Sequence, residues 1–408
     1  MKKILLFLFL SIVLVGCNFG GDITTTEPIT IETENYLEIT TVDELKNIEM
    51  NKSYILMNNL NLNNQEWEPL GDFHNPFLGN FDGNGMSISN LSITDDDSQF
   101  NGLFGYVEGN IFDLNIIDFN IVYNTDKLTF AGGLAGTVTG DIENVVTNGS
   151  IDVVNVKSNT FAGLLVGASQ KQVDVTTDIT NFKPNNIIGN EVTGTISVTG
   201  ERIAFVGGLI GKVLNSIVTN NISEVNLDVI TNNSVSYVGG LIGHNYGGVI
   251  SGYEQERIAL NIAISNNIAL SIINSEAKGF NAYTGGLIGY NFFGDAYNNF
   301  TETVIVASGI ITASSLLIGE DWNSNLHDML ASGTISYFNQ VDIELFQAPF
   351  VSRRFGSTTT ADNYYHSEQD LGELTSKINN TYILNTTWYQ ENLDWEQDFI
   401  NSVIDRIE

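Results

Sequence analysis

Four histidines, His74, His244, His327 and His366, and one cysteine, Cys17, are the natural candidates for metal or nucleophilic chemistry in this 408-residue chain. No histidine opens an HExxH pair, so the spacing that sets two imidazoles on one helical face around zinc is missing. A single cysteine cannot build a thiolate zinc site. The acidic run Asp95-Asp96-Asp97 suggests calcium, but Phe100 stands where an EF-hand needs glycine and Tyr106 where it needs glutamate. A calcium ion held by that loop is the one cofactor left open. "VGGLIGKV" at 206–213 comes nearest to a phosphate loop. Three residues, not four, separate Gly207 from Gly211-Lys212, and Val213 replaces the Ser or Thr. Carboxylates are plentiful enough for acid–base pairs to arise, but no spacing singles one out. No catalytic residue is assigned, and His244 reads as a turn residue rather than a base.

Charge narrows the partners. Sixteen Lys and Arg face 48 Asp and Glu, a formal balance of −32. Such a surface repels nucleic acid and anionic lipid heads, and keeps a solvated exterior.

The elements that would position any site follow from an internal repeat. "FAGGLAG" ends at Gly136, "FAGLLVG" at Gly167, "FVGGLIG" at Gly211, "YVGGLIG" at Gly243 and "YTGGLIG" at Gly289. A shortened copy, "FNGLFG", ends at Gly105, and a worn one, "SSLLIG", at Gly319. The steps are 31, 31, 44, 32, 46 and 30 residues, so one unit recurs with two insertions of about 14 residues. Between the motifs, "NSIVTNNISEVNLDVI" and its equivalents alternate apolar with polar residues and are rich in Val, Ile and Asn, the chemistry of strands and turns. A unit this short cannot bury its own apolar face, whereas stacked copies can. The expected fold is all-β: a right-handed parallel β-helix with roughly three strands per turn and short capping helices. The motif residues Gly132, Gly133, Leu134 and Gly136, Gly207, Gly208, Leu209 and Gly211, Gly239, Gly240, Leu241 and Gly243, and Gly285, Gly286, Leu287 and Gly289 then have structural roles. Glycine admits positive φ and close backbone approach at a sharp corner, and the Leu points inward.

These strings resemble the GLUG motif, a repeat of bacterial surface and secreted proteins that include some immunoglobulin-A-specific metallopeptidases, in which it lies outside the catalytic domain. The lead-in "TTVDELKNI", "SYILMNNLNLNNQEWEPLG" and "FLGNFDGNGMSISNLSI", and the closing "DNYYHSEQD" and "TTWYQENLDWEQDF", are similar to segments of such proteins. The resemblance spans nearly all of residues 38–400. It implies architecture and carries no catalytic residue over.

The N-terminus reads as a lipoprotein signal. A basic "MKK" precedes the apolar "ILLFLFLSIVLV", and "LVGC" closes it with a small residue before Cys17, whose thiol would take a diacylglyceryl group. The organisation expected is a signal peptide (1–16), a Thr- and Glu-rich tether (17–37), an N-terminal cap with the first turns (38–99), the repeat β-helix (100–330), and the last turns with a C-terminal cap (331–408). Thr41 and Glu44 form a capping-box pattern for a helix over 41–48, and Trp388 and Trp395 would help the closing segment cover the far end.

The function expected is that of a lipid-anchored, extracytoplasmic protein of the bacterial envelope that binds or adheres. The other readings are a β-helical carbohydrate-active enzyme and a passive scaffold. Membrane attachment would come through the acylated Cys17. A glycan or protein ligand would meet the aromatic stretches "HNYGG" and "YNFFGDAYNNF", that is His244, Tyr246, Tyr290, Phe292, Phe293 and Tyr297. Cys17→Ala should abolish incorporation of labelled fatty acid and release the protein from the membrane fraction. Unchanged labelling would remove the lipoprotein reading.

Overall fold

The computed structural model describes residues 36–94, 98–171, 182–247, 262–337, 344–348, 350–355, 359–361, 363–366, 386–393 and 395–407. Cys17, the signal segment and Asp95–Asp97 lie outside them.

One coil defines the rest. Its chain runs through Ser216–Thr219, Ile222–Thr231, Ser236–Gly239 and Ile242–Tyr246. Each strand pairs in parallel with its equivalents in the coils before and after. The result is a parallel β-helix with four sheets, here called first to fourth in chain order. The first two have 11 strands each and the third and fourth eight each among the described residues. A coil therefore holds four strands, not the three expected. The reason is the glycine motif. It folds one apolar run, "SYVGGLIGHNY", into two strands with a corner between them.

That corner is made by close approach rather than unusual dihedrals. None of the motif glycines has positive φ. A Cβ on Gly239 would lie 2.0 Å from Ile242 O, and one on Gly240 2.1 Å from Gly286 O of the next coil. Both are backbone atoms and cannot swing away. On the far side of the corner, a Cβ on Gly243 would sit 2.6 Å from Val206 N, so the third and fourth sheets meet backbone to backbone. The Leu of each motif points into the core as expected. Leu134, Leu165, Leu209, Leu241, Leu287 and Leu317 are fully buried.

Positive φ is used elsewhere, where the first sheet turns into the second. Asp113, Asn144, Gly189, Asn220, Asn266, Asn298 and Asp328 hold φ between 53° and 70° there. Asn and Asp tolerate this region best among residues with a Cβ. The residue after each turns inward, and in four successive coils it is asparagine. Asn190, Asn221 and Asn267 each donate Nδ2–H to the Oδ1 of the next, at 2.9, 3.0 and 3.0 Å, ending on Asn299. The same Oδ1 atoms accept backbone N–H groups at 2.9–3.0 Å. A buried amide ladder is thus satisfied on both edges, as burial requires.

Both insertions fall at one corner. Val166–Gln170 and Ile242–Tyr246 of the fourth sheet reach the first sheet only at Asn185–Ile188 and Ala263–Ser265, whereas Ile210–Leu214 passes almost directly to Ser216–Thr219. Residues 172–181 and 248–261 within them lie outside the described set.

The N-terminal helix spans Val42–Lys46, with the expected Thr41–Glu44 capping box, and Leu45 is buried in the main core. The closing helices, Thr386–Asn392 and Gln397–Ile407, correct the expectation of an end cap. They pack along the flank of the coil. Trp388, Tyr389, Trp395 and Ile400 cover Ile268, Phe300 and Leu330, the outward first residues of second-sheet strands. Trp395 Nε1 donates to Asp328 O at 2.8 Å, and Arg406 pairs with Glu191 at 3.4 Å and with Glu224. An apolar residue facing outward at the same register in consecutive coils needs a cover, and these helices supply it.

Two substitutions test the corner. Leu241→Ala removes a fully buried side chain and should cost about 2–5 kcal/mol. Gly240→Val forces a branched side chain against Gly286 O and should cost at least about 1–3 kcal/mol. Thermal or denaturant unfolding would rank them, and a Gly240→Val protein as stable as the parent would contradict this account of the motif.

Candidate binding face

Three aligned columns of side chains stand outside the core where the third and fourth sheets meet. The first is the aromatic that opens each motif. Phe100, Phe130, Phe161, Phe205, Tyr237 and Tyr283 stack face to face, with centroids 4.6–5.3 Å apart and planes within 12°. Parallel register with one-residue equivalence between coils makes this ladder unavoidable once the motif repeats. Stacking consumes the ring faces, so the edges are what remains for a ligand.

The second column, the residue after the last motif glycine, includes Lys212, His244, Tyr290 and Glu320, and continues at the same register to Arg353. His244 is a strand residue, not the turn residue expected. Its ring lies 5.0 Å from Tyr290, 5.4 Å from Phe205 and 5.5 Å from Tyr237. Its Nδ1 is buried with no hydrogen-bond partner. Burial, with Lys212 adding repulsion, pushes the imidazole down to about 3. Lys212 sits 5.8 and 6.0 Å from the ring centroids of Phe161 and Phe205. Desolvation lowers its ammonium below the usual lysine range. Burial pushes the Tyr237 phenol up to about 12 and that of Tyr290 higher still, with the Glu320 charge adding to both. At the C-terminal end Arg353 Nη1 donates to Glu320 Oε2 at 2.6 Å and to the Tyr283 hydroxyl at 3.3 Å, while Trp322 Nε1 donates to Glu320 Oε1 at 2.9 Å. Desolvation raises the Glu320 carboxyl despite that arginine.

The third column, two residues further along each strand, contains Tyr246, Phe292, Trp322 and Phe355. Tyr246 and Phe292 stack at 4.9 Å, and Trp322 and Phe355 at 4.3 Å. Four expected contact residues, His244, Tyr246, Tyr290 and Phe292, are thus brought together. Phe293 sits at the following turn with φ 58°, edge-on to Phe292 at 4.4 Å. Tyr297 is elsewhere, on the first sheet, stacked on His327 at 5.1 Å. Sequence reasoning missed Lys212, Tyr237, Tyr283, Glu320, Trp322 and Arg353. Aligning the repeats would have found most of them, since each column occupies a fixed offset from the motif.

Among the described residues the face offers aromatic edges, phenol hydroxyls, one cation without a carboxylate partner and one neutralised ion pair. Among the described residues it does not offer two carboxylates around one bond. Glu320 faces Arg353, but its neighbour Asp321 is fully buried on the other side of the strand, accepting from Asn291 Nδ2 at 2.6 Å. Among the described residues no cluster of three or more His, Cys, Asp or Glu could hold a metal ion. No family model matches this chain, and neither a curated protein nor a solved structure matches it.

His244 generates a stability prediction with a definite sign. The folded imidazole titrates below the unfolded one, so its contribution is fully present above about pH 6.5 and is lost as pH falls toward 3. Over pH 6.5 to 5 the parent should lose up to about 1.4 kcal/mol per pH unit more than His244→Phe. At neutral pH His244→Phe should gain about 1 kcal/mol by removing an orphaned polar atom. Parallel unfolding curves for the two proteins across that range would contradict the buried neutral histidine.

Proposed function

We propose that this chain is a lipid-anchored, extracytoplasmic β-helix protein of a bacterial envelope, and that it binds a surface ligand through the face of the third and fourth sheets. The anchor reading rests on Cys17 at the end of the apolar leader, and the GLUG-like repeat supports a surface role. The observation that carries the binding reading is the third column. Tyr246, Phe292 and Trp322 are partly exposed aromatics in one line, beside the Tyr290 phenol of the neighbouring column. Rings with polar edges in a fixed row suit a glycan or an extended protein segment, because the coils of Tyr246, Phe292 and Trp322 repeat the same contact. The separation of Glu320 from Asp321 favours retention of the ligand over its cleavage.

The test is to pass glycans and envelope polymers over the purified protein while assaying for released products. Tyr246→Ala with Phe292→Ala should weaken retention about tenfold or more, one aromatic contact of ~1.4 kcal/mol being enough for that factor. Product release proportional to protein concentration would overturn the binding reading in favour of an enzyme. Unchanged retention in the double variant would place the ligand on another surface.

A further inference from the structure

Lys212 is the feature of this face that structural roles do not absorb. Its neighbours at the same register are Ala168, on the coil before, and His244, on the coil after. Its ammonium lies over the rings of Phe161 and Phe205 and is desolvated, yet among the described residues no carboxylate pairs with it. What sets Lys212 apart from the chain's exposed lysines is its place, an ammonium held against two stacked rings of the aromatic column. The contrast at the other end of the column is direct, since Arg353 has Glu320 at 2.6 Å. Among the described residues, the groups at its register and beneath its ammonium are uncharged: Ala168, the Phe161 and Phe205 rings, and a His244 imidazole that burial keeps neutral. A partly desolvated charge with no partner is costly unless an anion reaches it.

We infer that Lys212 receives an anionic group of the ligand, and that the ligand is an acidic polysaccharide whose sugar carboxylates lie along this row. This rests on the binding face proposed above and adds the ligand's charge. A glycan fits better than a peptide because the first column presents a ring edge in each of the coils from Phe100 to Tyr283, at ~4.8 Å intervals, with phenol hydroxyls at Tyr237, Tyr283 and Tyr290. That spacing is comparable to the advance of one sugar in an extended chain. The negative exterior would repel an acidic polymer everywhere else, so binding would be confined to the row that Lys212 opens.

The experiment uses the full chain, immobilised, with polygalacturonate and its methyl ester as paired probes, the ester having the same backbone without the charge. The acid form should be retained at least tenfold more tightly than the ester, and less as salt rises. Lys212→Gln should abolish that preference with a thermal midpoint no lower than the parent's, and Lys212→Arg should restore it. Equal retention of acid and ester, unaffected by Lys212→Gln but reduced by Tyr246→Ala with Phe292→Ala, would overturn the charge assignment and leave the binding face standing. Retention of neither polymer, or retention indifferent to all these variants, would overturn both.

Discussion

The backbone contact at the glycine corner is the constraint from which the rest of this structure follows. Where Gly239 and Gly240 let the chain fold back on itself, and Gly243 lets the fourth sheet touch the third, no side chain separates the two strands. The Leu between them has nowhere to go but inward, and six such Leu residues form a continuous buried row. The aromatic before the corner and the residue after it are seven positions apart in sequence, yet they come onto the same outer surface. One geometric requirement, repeated at each motif, therefore builds part of the core and the candidate binding face together.

Polar groups are treated differently inside and outside. The interior admits asparagine where its amide can extend a ladder. Asn190, Asn221, Asn267 and Asn299 satisfy both the side chain below and the backbone beside it. Specificity of register follows, since a one-residue slip would bury each amide without its partner. That ladder is not the interior's rule everywhere, since the Asn101 and Asn245 Oδ1 atoms are buried without a hydrogen-bond partner, and His244 and Lys212 carry the same cost on the outer face. One has a buried nitrogen with no hydrogen-bond partner, and the other a desolvated charge with no carboxylate partner among the described residues. Local consistency tends to fail where a sequence answers to something other than folding.

The repeat period, the strand chemistry and the capping box at Thr41 and Glu44 were all legible in the sequence, because each depends on neighbours a few residues away. The four-stranded coil was not. A corner that consists of glycine inside an apolar run looks like one strand until the close approach across it is seen. The flank position of the closing helices was equally hidden. Its signal was Ile222, Ile268, Phe300 and Leu330, apolar residues at the same register of four coils, which periodicity within one strand does not distinguish from core. Of the contact residues, His244, Tyr246, Tyr290 and Phe292 shared the motif's offset and were brought together, while Tyr297 belonged to the next sheet. Sequence proximity placed it with them, and the corner between sheets took it away.

The central claim is that the columns flanking the glycine corner are where this protein meets its ligand. Hydroxyl-radical footprinting of the full chain, with and without a retained envelope polymer, reads that directly at single side chains. Tyr246, Tyr290, Phe292 and Trp322 should be protected on binding, with Tyr297 and the exposed Phe73 unchanged. Protection of Tyr297 or Phe73, with the four column residues as reactive as in the free protein, would contradict the account.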